Sequence, residues 1–440
     1  MKAVIMAGGK GTRLASISTE IPKPMFPILG KPILEYQIQS LKKSGICEIT
    51  MIVGHLKNTI IDYFNDGKKF GVNIDYIEEK EPLGTAGALY YLREEKEDFL
   101  LIFGDLILDI DFNRFMHFHK SHHSAITLLG HPNSHPFDSD VIQIDDECRV
   151  IGILGKKQER AFYYHNFVNA GVYCINPSAL QSITGPTKID LEKTLIMGLI
   201  GERNVFAYKS TEYVKDMGTP ERLSAVSVDL KKGIVSGRNL KSSQKAIFLD
   251  RDGTINEYVG FMRNIDDFRL ISGVSEAIQK INKSPFLTLV ATNQPVIARG
   301  EVSLQELDDI HKKMETELGL SGAYLDDIFF CPHHPHKGYL GEVSELKIDC
   351  DCRKPKIGML IKAAEMYNID LTKSWYIGDT TIDIQTGKNA KMKTVLVKTG
   401  EAGKDGKYDV IADYEAENLN EAVQYILSVD DVDIKKYKGE

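Results

Sequence analysis

The stretch KAIFLDRDGTINE, residues 245–257, ends an apolar run on two aspartates, Asp250 and Asp252. An extended backbone points residues i and i+2 to the same side. One carboxylate can then attack phosphorus while its neighbour, when protonated, donates to the departing alcohol and later takes a proton from water. Two like charges this close call for a cation, and Mg²⁺ would supply it. Taken alone, D-x-D-G-T also fits a plain turn or a simple metal loop. Three later stretches complete the set. LVATNQ ends a strand on Thr292, a hydroxyl donor for phosphate oxygens, with Asn293 and Gln294 next. CRKPKIG offers Arg353 and Lys354 as cationic ligands, and WYIGDTTID ends a strand on Asp379, with Asp383 following.

Between these stretches, Cys331 and His333 stand two apart, and Cys350 and Cys352 stand two apart across a polar loop. Two short chelating pairs joined by a loop are a tetrahedral Zn²⁺ pattern, and four protein ligands make a closed, structural site. The polar flanks argue against inert buried thiols. His334 or His336 could replace His333, but the C-x-H…C-x-C order favours His333.

The N-terminal stretch MKAVIMAGGKGTRL places Gly8, Gly9 and Gly11 directly after a strand, followed by Thr12 and Arg13. No G-x4-G-K-[ST] runs through it, and as G-x-G-x-x-G it fails at Leu14. Backbone N–H groups here can still approach a phosphate chain closely, with Arg13 supplying charge. Three glycines alone also fit a tight strand–helix turn. PKPM holds Lys23 between two prolines, which limit where the cation can go. EPLGTAGAL is a second Gly-rich turn, with Gly84 and Thr85 suited to a base or sugar. FLLIFGD ends a buried strand on Asp105, and VKDMGTPER offers Asp216. Two carboxylates at strand ends can hold Mg²⁺ between phosphates.

The elements that must position these residues alternate between short β-type runs and helical stretches, twice over. AVIMA, EITMIVG, FLLIFGD and AGVYCI fall in residues 1–226; KAIFLD, PFLTLVATN, SWYIGD and KTVLVKTG follow from residue 245. Such alternation predicts two doubly wound α/β domains with ligand chemistry at the carboxyl ends of strands. The expected boundaries are a first domain at 1–232, a linker or fraying last helix at 233–244, a second domain at 245–428 and a charged, frayed tail at 429–440. The chain has 440 residues, 42% of them hydrophobic and 26% charged, as in ordinary globular proteins. Its net charge of −8 gives no electrostatic case for nucleic acid or anionic membrane. Asp105 and Asp109 interrupt the most apolar stretch, and six cysteines are too few for a disulfide scaffold. A cytoplasmic enzyme with small-molecule partners is expected, and a homo-oligomer is compatible with these features.

Across nearly all of residues 1–226 the order G-G-x-G-T-R-L, P-K-P, L-G-T-A-G, G-D, N-A-G-V-Y and D-M-G-T-P-E resembles the sugar-1-phosphate nucleotidyltransferases. The resemblance implies in-line attack of a sugar 1-phosphate oxygen on the α-phosphorus of a nucleoside triphosphate, expelling pyrophosphate. Arg13 and Lys23 would neutralise the phosphates, Asp105 and Asp216 would hold Mg²⁺, and Asn169 and Gly171 would meet the sugar. Many relatives carry Glu-Lys-Pro where this chain has GKK, which leaves Lys156 as the substrate candidate. His131 and His135 receive no role beyond solvated loop histidines.

Residues 245–428 resemble the haloacid-dehalogenase phosphatases, whose four motifs correspond to Asp250/Asp252, Thr292, Lys354 and Asp379. Mg²⁺ would then sit on Asp250, Asp252 and Asp379, with Asn293, Gln294 and Arg353 toward substrate. The short spacing from Asp250 to Thr292 leaves no room for a large cap domain. The zinc loop feeding into RKP is similar to that of the heptose-bisphosphate and histidinol-phosphate phosphatases. Thr380 and TNQPV depart from their usual Lys and TNQSG. Together the resemblances imply a heptose 1,7-bisphosphate phosphatase joined to a transferase making GDP-heptose from GTP, for a bacterial surface polysaccharide. Other sugar phosphates with UTP, dTTP or CTP, or a phosphatase regulated by a degenerate sugar-nucleotide sensor, are the rival expectations. The presence of Arg13, Lys23, Asp105 and Asp216 argues against a sensor.

Overall fold

The computed structural model describes residues 1–9, 20–202 and 204–438, with 431–438 described by backbone alone. The chain divides into two compact units. The first comprises Met1–His131, Ser139–Gln158 and Phe167–Asn239; the second comprises Pro132–Asp138, Glu159–Asn166 and the chain from Leu240 onward. The two short earlier segments in the second unit, PNSHPFD and ERAFYYHN, have no periodicity, and nothing local in their sequence assigns them there. Both units are doubly wound α/β, as the alternation predicts.

In the first unit the strands are β1 (Lys2–Met6), β2 (Glu48–Val53), β3 (Asn73–Glu78), β4 (Phe99–Phe103), β5 (Leu106–Asp109), β6 (Ile126–His131), β7 (Val141–Ile144), β8 (Val150–Leu154), β9 (Val168–Ile175), β10 (Val205–Lys209) and β11 (Tyr213–Asp216). The main sheet runs β8-β7-β9-β4-β1-β2-β3, with β6 pairing both β9 and β10. Successive side chains of β1 go to opposite faces: Ala3 and Ile5 join one apolar cluster, Val4 the other. Burial on both faces is why the strand reads as an unbroken apolar run. Helix α1 (Ile33–Lys43) lays Leu34, Ile38 and Leu41 on the first cluster at i, i+4 and i+7. From β1 the chain builds outward through β2 and β3, then returns to β4 on the other flank of β1. The loops after β1 and β4 therefore diverge at a switch point, where a crevice opens at the strand ends.

The second unit repeats this logic with β12 (Lys245–Leu249), β13 (Phe286–Asn293), β14 (Asp327–Cys331), β15 (Trp375–Gly378), β16 (Lys393–Val397) and β17 (Tyr414–Ala416). All pairs are parallel, in the order β14-β13-β12-β15-β16-β17. The switch falls between β12 and β15. Ile247 and Leu249 pack on one face of the sheet, Ala246 and Phe248 on the other. Helices α2 (Val274–Asn282), α3 (Leu304–Leu320), α4 (Gly358–Tyr367), α5 (Thr381–Asn389) and α6 (Leu419–Lys438) cover those faces or follow the strands.

The stretch expected as a linker is more ordered than its polarity suggested. A helix spans Pro220–Lys231, and a short turn at Ile234–Gly237 follows. Ile234 and Val235 are buried among Phe26, Ile33, Ile107 and Met217, whereas Leu240 already packs in the second unit's core. Two apolar residues within the polar run are enough to dock it. At the other end, the expected frayed tail continues α6 as helix through Lys438. Among the described residues, no helix is long and apolar enough to cross a membrane.

Candidate active sites

In the second unit, Asp250 follows β12, Asp379 follows β15, and Asp383 lies in the first turn of α5. All three are buried, and each offers an oxygen within 4.8 Å of the others. Lys354 is buried against them, its Nζ 2.9 Å from Asp250 Oδ1 and 2.6 Å from Asp383 Oδ1. Thr380 caps α5 and shares Asp383 Oδ2 in a capping box, so this carboxylate is held from both sides. Asp379 Oδ2 accepts the Glu401 N–H at 2.7 Å, while its Oδ1 is buried with no hydrogen-bond partner. Burial first, then the Asp383 and Asp250 charges, push Asp379 up to about 8. Burial and Asp383 likewise raise Asp250 to about 6, against the pull of Lys354. Three carboxylates facing one ammonium leave uncompensated negative charge around an orphaned oxygen. An all-oxygen donor set of this kind fits Mg²⁺.

Backbone close approach is part of the site. Gly253 (φ +79°) and Gly400 (φ +61°) flank Asp379, and a Cβ on them would stand 2.3 and 2.1 Å from its Oδ2. Thr292, at the end of β13, is buried with its hydroxyl accepting from Gln294 Nε2 at 3.0 Å. Asn293 brackets the Lys354 backbone, accepting its N–H at 3.0 Å and donating to its carbonyl at 3.3 Å. Arg353 donates to the His333 carbonyl at 3.2 Å. Asp252 departs from the expected metal set. Its carboxylate turns to Arg251, Gln294 and Asn256, because the chain curls after Asp250 instead of staying extended.

Cys331 ends β14, and its Sγ lies 3.5 Å from Cys350 Sγ and 3.2 Å from Cys352 Sγ. Cys350 and Cys352 are 3.3 Å apart, and His333 Nδ1 is 3.2 Å from Cys352 and 3.7 Å from Cys331. Metal–sulfur bonds of ~2.3 Å in a tetrahedron need sulfurs ~3.8 Å apart, slightly wider than seen here. The group could hold one metal ion. His334 instead contacts the His336 carbonyl and Arg299, outside the group.

In the first unit, Gly11, Thr12 and Arg13 lie outside the described residues. Gly8 follows β1, and a Cβ there would meet Glu79 Oε2 at 2.2 Å; Gly9 has open space. Lys23 ion-pairs with Asp105 at the end of β4. β11 runs antiparallel to β5 with Asp216 opposite Leu106, and the Met217 N–H donates to the Asp105 carbonyl at 2.9 Å. That pairing brings Asp216 beside Asp105, two residues 111 positions apart in sequence. Asp216 also pairs with Arg222. The donors here are again carboxylate oxygens, as Mg²⁺ requires. Gly84 (φ +77°) bridges to Ile189, and Thr85 Oγ1 accepts the Leu191 N–H at 2.7 Å. A register shift in β9 between Asn169 and Tyr173 accommodates Gly171 at φ +74°. Asn169 donates to the buried Tyr173 hydroxyl at 2.7 Å, which donates to Glu192 at 2.6 Å. Lys156 is exposed, its N–H held by Asp140 at 2.9 Å. His131 is the last residue of β6, not a loop residue, and the His135 N–H donates to Asn133.

The family model for nucleotidyl transferases matches residues 2–233. The chain belongs to that family. A HAD-hydrolase-like model matches residues 351–422. D-glycero-beta-D-manno-heptose-1,7-bisphosphate 7-phosphatase of Haemophilus influenzae is 42% identical over 177 residues, covering 40% of this chain and 92% of that protein. The enzyme of the same name from Escherichia coli K12 is 41% identical over 162 residues, 37% of this chain and 83% of the relative. A crystal structure of HddC from Yersinia pseudotuberculosis aligns with 27% identity over 52% of this chain and 99% of its own, at a TM-score of 0.46. The chain is thus a bifunctional enzyme, a nucleotidyltransferase followed by a phosphatase.

Some residues at or near the sites of this nucleotidyltransferase–phosphatase carry no role from the sequence, where Asp383 is named only as following Asp379. Asp383 carries a readable signal, since T-x-x-D after a strand is a capping box. Glu79, beside Gly8, and the Tyr173–Glu192 pair carry none, because only the folded chain brings partners so distant in sequence together. Lys354→Met removes the cation from a buried cluster, which typically costs about 3–5 kcal/mol. We expect a correspondingly lower unfolding midpoint for the second unit in denaturant titrations of the full-length protein without divalent cations. An unchanged midpoint would contradict the role of Lys354 as the shared counter-charge.

Proposed function

We propose that the second unit hydrolyses the 7-phosphate of D-glycero-D-manno-heptose 1,7-bisphosphate and that the first transfers GMP from GTP to the resulting heptose 1-phosphate, giving GDP-heptose and pyrophosphate. The reading rests on one pairing. A segment 42% identical to a heptose-bisphosphate 7-phosphatase shares a chain with a nucleotidyl transferase domain whose motifs resemble those of the sugar-1-phosphate nucleotidyltransferases. GTP is assigned from the resemblance of the first half to heptose 1-phosphate guanylyltransferases. Both reactions are assigned to the cytoplasm.

Asp250 is the nucleophile in this reading. Its carboxylate oxygen attacks phosphorus, the bond to the C7 oxygen breaks, and Asp252 gives that oxygen a proton. Asp252 then takes a proton from water, whose oxygen attacks the phospho-aspartate and frees Asp250 and phosphate. Lys354 and Thr292 hold phosphate oxygens. Asp250, Asp379 and Asp383 would hold Mg²⁺, which supplies counter-charge when an anionic nucleophile meets an anionic ester. In the first unit, Lys23 and Arg13 offset charge on the phosphates while the sugar phosphate attacks in line. Asp105 and Asp216 would hold Mg²⁺ there, and no covalent intermediate is needed.

Asp250→Asn keeps the shape and loses the nucleophile, so phosphate release should fall at least about a thousandfold. The variant should still make GDP-heptose from authentic heptose 1-phosphate and little from the 1,7-bisphosphate, read by mass analysis of the products. Rapid formation of a 7-phosphorylated GDP-sugar would overturn the proposed order. Failure of every sugar 1-phosphate and triphosphate in a panel would favour the sensor reading instead.

Cys331, His333, Cys350 and Cys352 are proposed as a structural Zn²⁺ site that closes the loop leading into Arg353 and Lys354. Elemental analysis of the purified protein should give about one zinc per chain. Cys350→Ser should lose it and lower the second unit's melting temperature. Zinc-free protein with full phosphatase activity would end the assignment.

A further inference from the structure

Arg251 has the largest of the fully buried side chains among the described residues, and it stands between the two aspartates of the phosphatase loop. Buried guanidinium groups are rare unless paired, because removing the charge from water is costly. Here the partner is the adjacent residue. Arg251 Nη2 lies 3.0 Å from Asp252 Oδ1 and 2.9 Å from Oδ2, and Nε lies 3.3 Å from Oδ1. Neighbours in an extended strand face opposite ways, so this contact needs a curled backbone. The Arg251 carbonyl provides it by accepting the N–H groups of Thr254, Ile255 and Asn256.

The guanidinium is anchored from behind as well. Its Nη2 also donates to Gln294 Oε1 at 3.1 Å, and Nη1 approaches His311 Nε2 of α3 at 3.4 Å. Burial and the Arg251 charge hold His311 well below its ordinary pKa, so the ring is neutral and Nε2 can accept. Gln294 closes a ring by donating Nε2 to Asp252 Oδ2 at 2.9 Å and to Thr292 Oγ1 at 3.0 Å. Asn256 Nδ2 takes the last position, 3.1 Å from Asp252 Oδ1. Both oxygens of Asp252 are therefore fixed by side-chain donors, while the backbone N–H of Arg251, not its guanidinium, donates to Asp250 Oδ1 at 2.7 Å.

We propose that Arg251 is a positioning residue for proton transfer: anchored by His311 and Gln294, it sets the place and orientation of the Asp252 carboxyl group. The proposal rests on Asp252 as the proton donor and acceptor of the phosphatase. It predicts that Arg251 matters in proportion to how much the leaving group needs a proton. A sugar alkoxide needs one as its P–O bond breaks; 4-nitrophenolate does not.

The test is single-turnover cleavage by the full-length protein in Mg²⁺, with heptose 1,7-bisphosphate and 4-nitrophenyl phosphate as paired substrates. Positioned acid catalysis is worth about 10²–10⁴-fold. Arg251→Met should slow the sugar phosphate by about a hundredfold or more, leave nitrophenolate release within about threefold, and move KM little. Asp252→Asn should show the same selectivity, and the double variant should be no worse than Asp252→Asn alone. Arg251→Lys keeps the charge without the planar fork, and should fold if the Met variant does not, with a smaller loss of the same selectivity. Equal slowing of both substrates by Arg251 variants, or additive losses in the double variant, would overturn the proposal while Asp252→Asn remained selective. If Asp252→Asn slowed neither substrate selectively, the acid–base reading would fail, and the proposal with it.

Discussion

Three buried carboxylates against one buried lysine dominate the second unit. Asp250 follows β12, whereas Asp379 and Asp383 both come from the β15–α5 segment, and Lys354 reaches Asp250 and Asp383. Burial first, and then the neighbouring carboxylate charges, push Asp379 and Asp250 up toward protonation, and a cation would relieve both. Much of the surrounding structure serves this cluster. The capping box of α5 fixes Asp383, glycines 253 and 400 let the backbone close over Asp379, and Asn293 clamps the Lys354 peptide. The Cys331, His333, Cys350 and Cys352 group ends immediately before Arg353 and Lys354, so the same loop carries a metal-type group and the counter-charge.

Both units place their chemistry by one topological rule. In each, the chain winds outward from a first strand and then returns to the other flank of that strand, so two loops diverge at the carboxyl ends. Gly8 and Asp105 occupy the two loops of the first unit, Asp250 and Asp379 those of the second. The first unit adds one more device. The β5–β11 pairing carries Asp216 to Asp105 from far along the chain.

How much was legible in the sequence follows from how local each signal is. Strands buried on both faces leave continuous apolar runs, so β1, β4, β12 and β13 could be read directly; β1 runs into glycines, and the other three into the candidates Asp105, Asp250 and Thr292. The C-x-H and C-x-C pairs were legible because chelation imposes short spacing, and the folded chain groups the residues so picked. The Asp252 side chain lies outside the group of Asp250, Asp379 and Asp383, because i, i+2 alternation holds only while the backbone stays extended, and here it curls around the Arg251 carbonyl. Burial of Arg251 and the Tyr173–Glu192 pair depend on contacts distant in sequence, which no periodicity records. The same is true of Pro132–Asp138 and Glu159–Asn166, two short segments that group with the second unit by their contacts in the folded chain.

Two consecutive reactions, phosphate removal and then nucleotide transfer, are proposed for this chain. The most direct measurement is a phosphorus NMR time course of the wild-type protein with heptose 1,7-bisphosphate, GTP and Mg²⁺. Inorganic phosphate should appear first, pyrophosphate should follow to an equal final amount, and GDP-heptose without a 7-phosphate should accumulate. Pyrophosphate appearing ahead of phosphate, or phosphate released with no pyrophosphate from any triphosphate supplied, would contradict the proposal.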